Sequence, residues 1–161
     1  MAVTINVSVN AGVTVNEQYD ATSSPGTGQV TLSFNEFNQN ETLNSSSTPP
    51  ATKFIAEKYT GTQNLDFTAL ARTALGDTVD ASGLKLQLLL LVNLSTTDDV
   101  TISDAAANPY SINGTDDVVV PVGGYLLMQF NDQLDDVAAG ALGMDITPGA
   151  GESFQLVLVF G

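Results

Sequence analysis

The feature that most constrains this chain is the recurrence of short segments in which apolar and polar residues alternate. Residues 2–9, AVTINVSV, alternate strictly, and residues 29–37 repeat the pattern. A period of two is typical of a β-strand that is buried on one face. Residues 84–92, LKLQLLLLV, end apolar on both faces, which predicts a central strand covered on both sides. Residues 153–160 close the chain with a strand that we expect to lie inside a sheet.

Turn-forming residues separate these segments from further short strands such as DDVVVPV and GGYLLMQF. Several short strands spaced by turn signals indicate a sandwich or a barrel. A parallel α/β fold would need long helical crossovers, and the sequence shows none. We therefore predict one all-β domain over residues 1–161, an antiparallel β-sandwich of jelly-roll type, with at most one short helical turn, at residues 69–76.

Two local expectations follow from the same patterns. Residues 38–52, NQNETLNSSSTPPAT, have little to bury and contain adjacent prolines, so they are predicted to form an exposed or mobile loop. Residues 53–70 regain strand character and are predicted to form two short strands around Gly61.

The charge of the chain excludes several classes of partner. It has 4 Lys+Arg against 18 Asp+Glu, a formal net charge of −14. Nucleic-acid binders gain affinity by replacing counterions on phosphates with Lys and Arg, so we expect no nucleic-acid partner. An anionic membrane would repel the chain, and we expect no membrane partner. The first residues lack the basic and apolar regions of a signal peptide, which predicts synthesis in the cytoplasm.

The inventory of reactive side chains is thin. The sequence has no cysteine and no histidine, so a Ser-His-Asp triad and zinc sites built on Cys or His are excluded. A carboxylate pair, for instance Glu57 and Asp66 across a hairpin, is formally compatible with glycoside hydrolysis, but two surface residues explain it better. We predict a protein that is not an enzyme, with no catalytic residues and no cofactor.

The tripeptide Asp-Asp-Val occurs at residues 98–100, 116–118 and 135–137. Carboxylates in loops suit calcium, and the densest cluster suggests four candidate ligands. These are Asn131, Asp132, Asp135 and Asp136. Aspartate also initiates turns by accepting hydrogen bonds from nearby backbone, and none of the three sites has the spacing of a known calcium loop. The turn interpretation is favoured, and calcium stays open.

Sugar recognition is a second open alternative, because it uses exposed aromatic rings on sandwich folds. The four tyrosines are Tyr19, Tyr59, Tyr110 and Tyr125. Tyr110 follows Asn-Pro and is expected to be the most exposed, whereas Tyr125 is expected in the core or at its edge. A single loop tyrosine is not a binding platform.

Several segments taken together are similar to known proteins. They are YTGTQNLDFTAL, GLKLQLLLLVNLSTTDDVTI, VPVGGYLLMQFND and GESFQLVLVFG. Over residues 58–161 the chain resembles small β-sandwich structural proteins of tailed-phage particles. The resemblance implies a multi-copy virion component (a capsid decoration, minor capsid or tail protein) that forms homo-oligomers or docks on a larger protein assembly. The alternative is a stand-alone carbohydrate- or calcium-binding module.

Overall fold

The computed structural model describes residues 5–19, 30–73, 75–130 and 132–161, and within these ranges it contains strands and turns but no helix. The predicted all-β class is confirmed, since two antiparallel sheets pack against each other as a β-sandwich. The chain divides into two compact units. One is the segment Asn6–Leu43, and the other contains residues 44–161.

Twelve strands occur in the described ranges. They are β1 (Asn6–Tyr19), β2 (Val30–Asn44), β3 (Lys53–Thr60), β4 (Gln63–Asp66), β5 (Leu70–Arg72), β6 (Asp77–Val79), β7 (Leu86–Asn93), β8 (Val100–Asp104), β9 (Val118–Val120), β10 (Tyr125–Gln129), β11 (Gly143–Thr147) and β12 (Ser153–Phe160).

The sandwich consists of two four-stranded sheets. Sheet 1 has the order β10-β7-β12-β3, and sheet 2 has the order β4-β11-β8-β9. All of their printed pairings are antiparallel. The predicted central strand and the predicted closing strand are both confirmed, because β7 and β12 are neighbours in the middle of sheet 1.

Every second residue of these strands enters the core between the sheets. Leu89 and Leu91 of β7 and Leu156 of β12 are at most 1% exposed, and they meet Met144 and Ile146 of β11 from sheet 2. Phe67 stacks edge-on against Tyr110 and Phe160, with ring centroids 5.1 and 5.2 Å apart. Burying such side chains contributes about 1.5–3 kcal/mol each. Burial of these inward-facing side chains is thus what holds the two sheets together.

The second unit, built from β1 and β2, is a two-stranded sheet. Its second strand corrects the predicted loop at residues 38–52, because β2 runs to Asn44 and only residues 45–52 lie outside the strands. Residues 40–42 are exposed strand positions. A strand tolerates polar side chains where it faces water, so polarity alone did not mark a loop. The predicted strands around Gly61 are confirmed as β3 and β4.

The segment expected to form a helical turn is instead a short hairpin of β5 and β6. Arg72 and Asp77 face each other across it and form a two-bond ion pair. The side chain of Glu57 on β3 accepts hydrogen bonds from the backbone N–H and the hydroxyl of Thr73, both at 2.8 Å. Contacts of this kind override the helical preference of Ala and Leu in an isolated segment.

Candidate protein-interaction face

The outward side of sheet 1 carries two cross-strand rows of residues. The register aligns Leu127, Leu90, Val157 and Ala56 in one row. It aligns Tyr125, Val92, Gln155 and Lys58 in the next. Their strand neighbours Leu91 and Leu156 point into the core, so these eight residues face away from it. We call the eight residues the acid-free face.

No carboxylate lies on the acid-free face, although the chain has 18 Asp and Glu residues. The four strands of sheet 1 contain a single acid, Glu57, whose side chain is engaged by Thr73. Lys58 is one of only four basic residues and lies on this face. The result is an apolar surface with local positive charge on an otherwise acidic protein.

The outward side of sheet 2 is different in character. It carries Asn64, Asp66 and Asp145, and the Asn64 amide donates to the Asp145 carboxylate at 2.7 Å. Thr101 and Ser103 continue this polar surface along β8. Polar side chains keep their hydration on such a face, so sheet 2 is built to remain in water. The two sides of the sandwich are therefore not equivalent.

The acid-free face is open. Tyr125 is 72% exposed on the edge strand β10. A shallow groove of about 310 Å³ crosses the face between Ala56, Leu90 and Val157. Exposed aromatic side chains with few surrounding charges are typical of the centre of protein interfaces. A contiguous apolar patch of this kind marks an interaction site more often than a chance feature of the surface.

One end of the outward side of sheet 1 is already covered by the chain itself. The Gln87 amide donates to the Pro49 carbonyl at 2.6 Å, and the Thr52 N–H donates to the Phe160 carbonyl at 2.8 Å. Leu88 and Val159, which lie at this end, are 3% and 0% exposed without belonging to the main core cluster. The outward side of sheet 1 is therefore buried at this end and open along the acid-free face.

The predicted calcium ligands surround a lysine. Lys85 Nζ lies 2.9 Å from Asp132 Oδ1 and 3.8 Å from Asp136 Oδ1. The hydrogen bond to Asp132 raises the pKa of Lys85 above its usual range. The backbone carbonyl of Asp135 accepts a hydrogen bond from the Tyr110 hydroxyl at 2.6 Å. Asn131 lies outside the described residues.

A Lys ammonium therefore occupies the place between two of the proposed ligands. In the part of the chain that the structure describes, no three His, Cys, Asp or Glu side chains are grouped to hold a metal ion. The calcium hypothesis stays a prediction without a geometric argument in its favour.

Aspartate and asparagine do initiate turns in this chain. Asp66 Oδ1 accepts the N–H of Thr68 at 2.8 Å, and Asp80 Oδ1 accepts the N–H of Ser82 at 2.9 Å. Two of the Asp-Asp-Val sites lead into β8 and β9, and the valine of the third, Val137, is buried. Asp66 and Glu57 bond separate partners, so the supposed carboxylate pair is not brought together by these contacts.

The tyrosine expectations were wrong in opposite directions. Tyr110 is 2% exposed, and its hydroxyl accepts the Leu86 N–H at 3.1 Å while donating to Asp135. Tyr125 is the exposed ring instead. Tyr59 is half-buried against Phe154 at 5.4 Å, and the side chain of Tyr19 lies outside the described part of the structure. Loop position does not decide exposure, because a loop residue can fold back over the core.

The acid-free face itself was missed by sequence reasoning. Its signal was present, since the longest apolar segments of the chain are also the ones poorest in carboxylates.

Comparisons with protein-family models, with curated proteins and with solved structures find no match to this chain. Within the described ranges, no helix long and apolar enough to cross a membrane occurs.

Proposed function

We propose that this protein is a non-enzymatic structural protein, present in many copies in a virion, that docks onto other protein subunits through its acid-free face. The observation that carries the proposal is the contrast between this face and the rest of the surface. Eight outward positions on four strands carry no carboxylate, whereas the chain as a whole has a net charge of −14.

This contrast directs association to one place. Burial of apolar surface is the dominant driving force of most protein–protein association. Two acidic surfaces repel each other, so contact between copies, or with another acidic subunit, is least unfavourable where carboxylates are absent. Tyr125 and Leu90 then form the apolar centre of the interface, and the acidic surface of sheet 2 faces water.

The assignment to a virion, as a capsid decoration, minor capsid or tail protein, rests on the resemblance of residues 58–161 to phage structural proteins. An acidic exterior suits the outside of such a particle better than contact with packaged DNA. The proposed location is therefore the outer surface of the particle.

The experiment compares two matched substitutions of exposed residues on edge strands. Tyr125→Glu places a charge on the acid-free face, and Val119→Glu, at a position 55% exposed on the outward side of sheet 2, serves as its control. The mass in solution is measured by light scattering behind a sizing column. We expect a discrete oligomer for the wild type and for Val119→Glu, and at least a tenfold weaker association for Tyr125→Glu.

Equal loss of association in both variants would contradict the proposal, because the face would then have no special role. A mass that changes only when calcium is added or chelated would favour the calcium-binding alternative. A monomer of the wild type that binds a sugar array would favour the carbohydrate-binding one.

A further inference from the structure

The two-stranded unit formed by β1 and β2 has the properties of a segment that requires a partner. A two-stranded sheet alone is at best marginally stable in water, and stability normally needs a third strand or packing on another surface. In the described chain these two strands pair only with each other. Val7 and Val9 alternate with the exposed residues Asn6, Ser8 and Asn10, so at the start of β1 the side that holds Val7 and Val9 is apolar.

The length of this unit exceeds what the sandwich of the same chain offers. The strands have 14 and 15 residues, so they extend about 46–50 Å at about 3.3 Å per residue. The longest strands of the sandwich have 8 residues, about 26 Å. A sandwich face as long as its own strands spans only about half of the length of the two-stranded unit. One such face therefore cannot cover the whole unit, and a second copy supplies a second face.

The charges of the two surfaces are complementary. Residues 6–44 contain four acids and no Lys or Arg. The acid-free face has Lys58 and no carboxylate. An acidic strand pair is therefore repelled less by this face than by the outward side of sheet 2, which carries Asp66 and Asp145.

We infer that the acid-free face of one copy binds the β1–β2 unit of a second copy, so that the apolar side of β1 packs across Leu90, Val92 and Val157. This inference rests on the proposed function and names the partner of its face as another copy of this chain. The contact joins two different surfaces, so it closes as a reciprocal dimer or a ring, or continues as a filament.

Complementation between two full-length variants tests the inference. Ala56→Glu adds a charge to the acid-free face at an exposed position, and Val9→Asp adds one to the apolar side of β1. Each variant alone should associate at least tenfold more weakly than the wild type. A mixture should recover a complex, because Val9→Asp retains an intact face and Ala56→Glu retains an intact β1–β2 unit.

Two controls accompany these variants. Ser8→Asp, on the exposed side of β1, and Val119→Glu, on sheet 2, should both associate like the wild type. Circular dichroism and thermal unfolding confirm that every variant is folded. Native mass spectrometry of the mixture, with one variant isotopically labelled, distinguishes a mixed complex from residual self-association.

The outcomes separate this inference from the proposed function. If Ala56→Glu abolishes association while Val9→Asp leaves it intact, the face docks another surface and the inference is wrong, but the proposed function stands. If both variants lose association and mixing restores nothing, the acid-free face and the β1–β2 unit are not the two sides of one contact, and the inference is also wrong. If neither variant changes the mass of the oligomer, both proposals fail.

Discussion

Asn93 closes β7 and connects three segments through one buried amide. The residue is 2% exposed, and its Nδ2 lies 3.0–3.1 Å from the carbonyls of Asp98, Val120 and Pro121. Its Oδ1 accepts the N–H of Ser95 at 2.8 Å. A buried amide in this position satisfies backbone groups that would otherwise lose their hydration at a cost of about 1–3 kcal/mol each. Asn93 is therefore a structural residue that fixes the end of the strand.

Tyr110 links the stability of the fold to pH. Burial raises the pKa of its hydroxyl, with a further contribution from the negative charge of Asp135. A group whose pKa is higher in the folded state stabilises the fold fully at pH values below its unfolded pKa, which is about 10 for tyrosine. This stabilisation is lost as the pH rises through the pKa of the folded state. The ionised form would also lose its donation to the Asp135 carbonyl.

We expect Tyr110→Phe to lower the free energy of unfolding by about 1–2 kcal/mol at pH 8, because the two hydrogen bonds of the hydroxyl are lost. The difference from the wild type should narrow above about pH 10, where only the wild type loses the contribution of this residue. Urea unfolding at a series of pH values measures this difference in the free energy of unfolding. Tyr125→Phe, which removes an exposed hydroxyl, should differ little from the wild type near pH 8. A pH-independent difference for Tyr110→Phe would contradict this account.

At the scale of single elements, β11 shows how closely the strands of sheet 2 approach. Gly143 begins this strand opposite Asp66 of β4, and its carbonyl accepts the Tyr110 N–H at 2.6 Å. A Cβ placed on Gly143 would lie 1.8 Å from the Leu65 carbonyl oxygen. Because the obstacle is backbone in a paired strand, it cannot turn aside as a flexible side chain would.

Gly143→Ala should therefore lower the free energy of unfolding by about 3 kcal/mol or more, since β4 must move away from β11. Gly140→Ala is the matched control. A Cβ there meets nothing within 4 Å, and only the positive φ of 99° opposes it, at about 1–2 kcal/mol. Thermal unfolding of both variants measures the difference. Equal destabilisation of the two variants would show that the close approach of β4 to Gly143 does not determine the loss of stability.

At the scale of the whole molecule, the net charge sets how stability responds to salt. Fourteen uncompensated negative charges repel one another across the folded protein. Screening shortens the range of this repulsion from about 30 Å at 0.01 M ionic strength to about 3 Å at 1 M. The few ion pairs of the described residues, such as Arg72–Asp77, are partly exposed, so they contribute little stabilising free energy to offset this repulsion.

We expect added NaCl, from about 0.01 M to about 0.5 M, to raise the thermal midpoint by about 3 °C, on the order of 1 kcal/mol for a domain of this size. Replacing the exposed Asp116 and Asp117 by lysine changes the net charge by +4, from −14 to −10, and should reduce the response. Differential scanning calorimetry at several salt concentrations compares the two proteins. An unchanged or larger response in the variant would exclude self-repulsion as its cause.

The sequence alone determined the fold class and the positions of the main strands. The reason is that strand patterns are local properties. Alternation with period two marks the segments that became β1 and β2, and short apolar runs mark those that became β7 and β12, without reference to any neighbour. The absence of His and Cys likewise limited the available chemistry from composition alone.

Only the tertiary structure decided which side of each strand faces the core, and which faces are left open. Tyr110 and Tyr125 exchanged their expected roles, because one folds back against Phe67 and the other lies on an edge strand beyond the core. The acid-free face exists because four segments distant in sequence align their outward residues in register. Register and sheet order are long-range properties, so no single segment of the chain contains them.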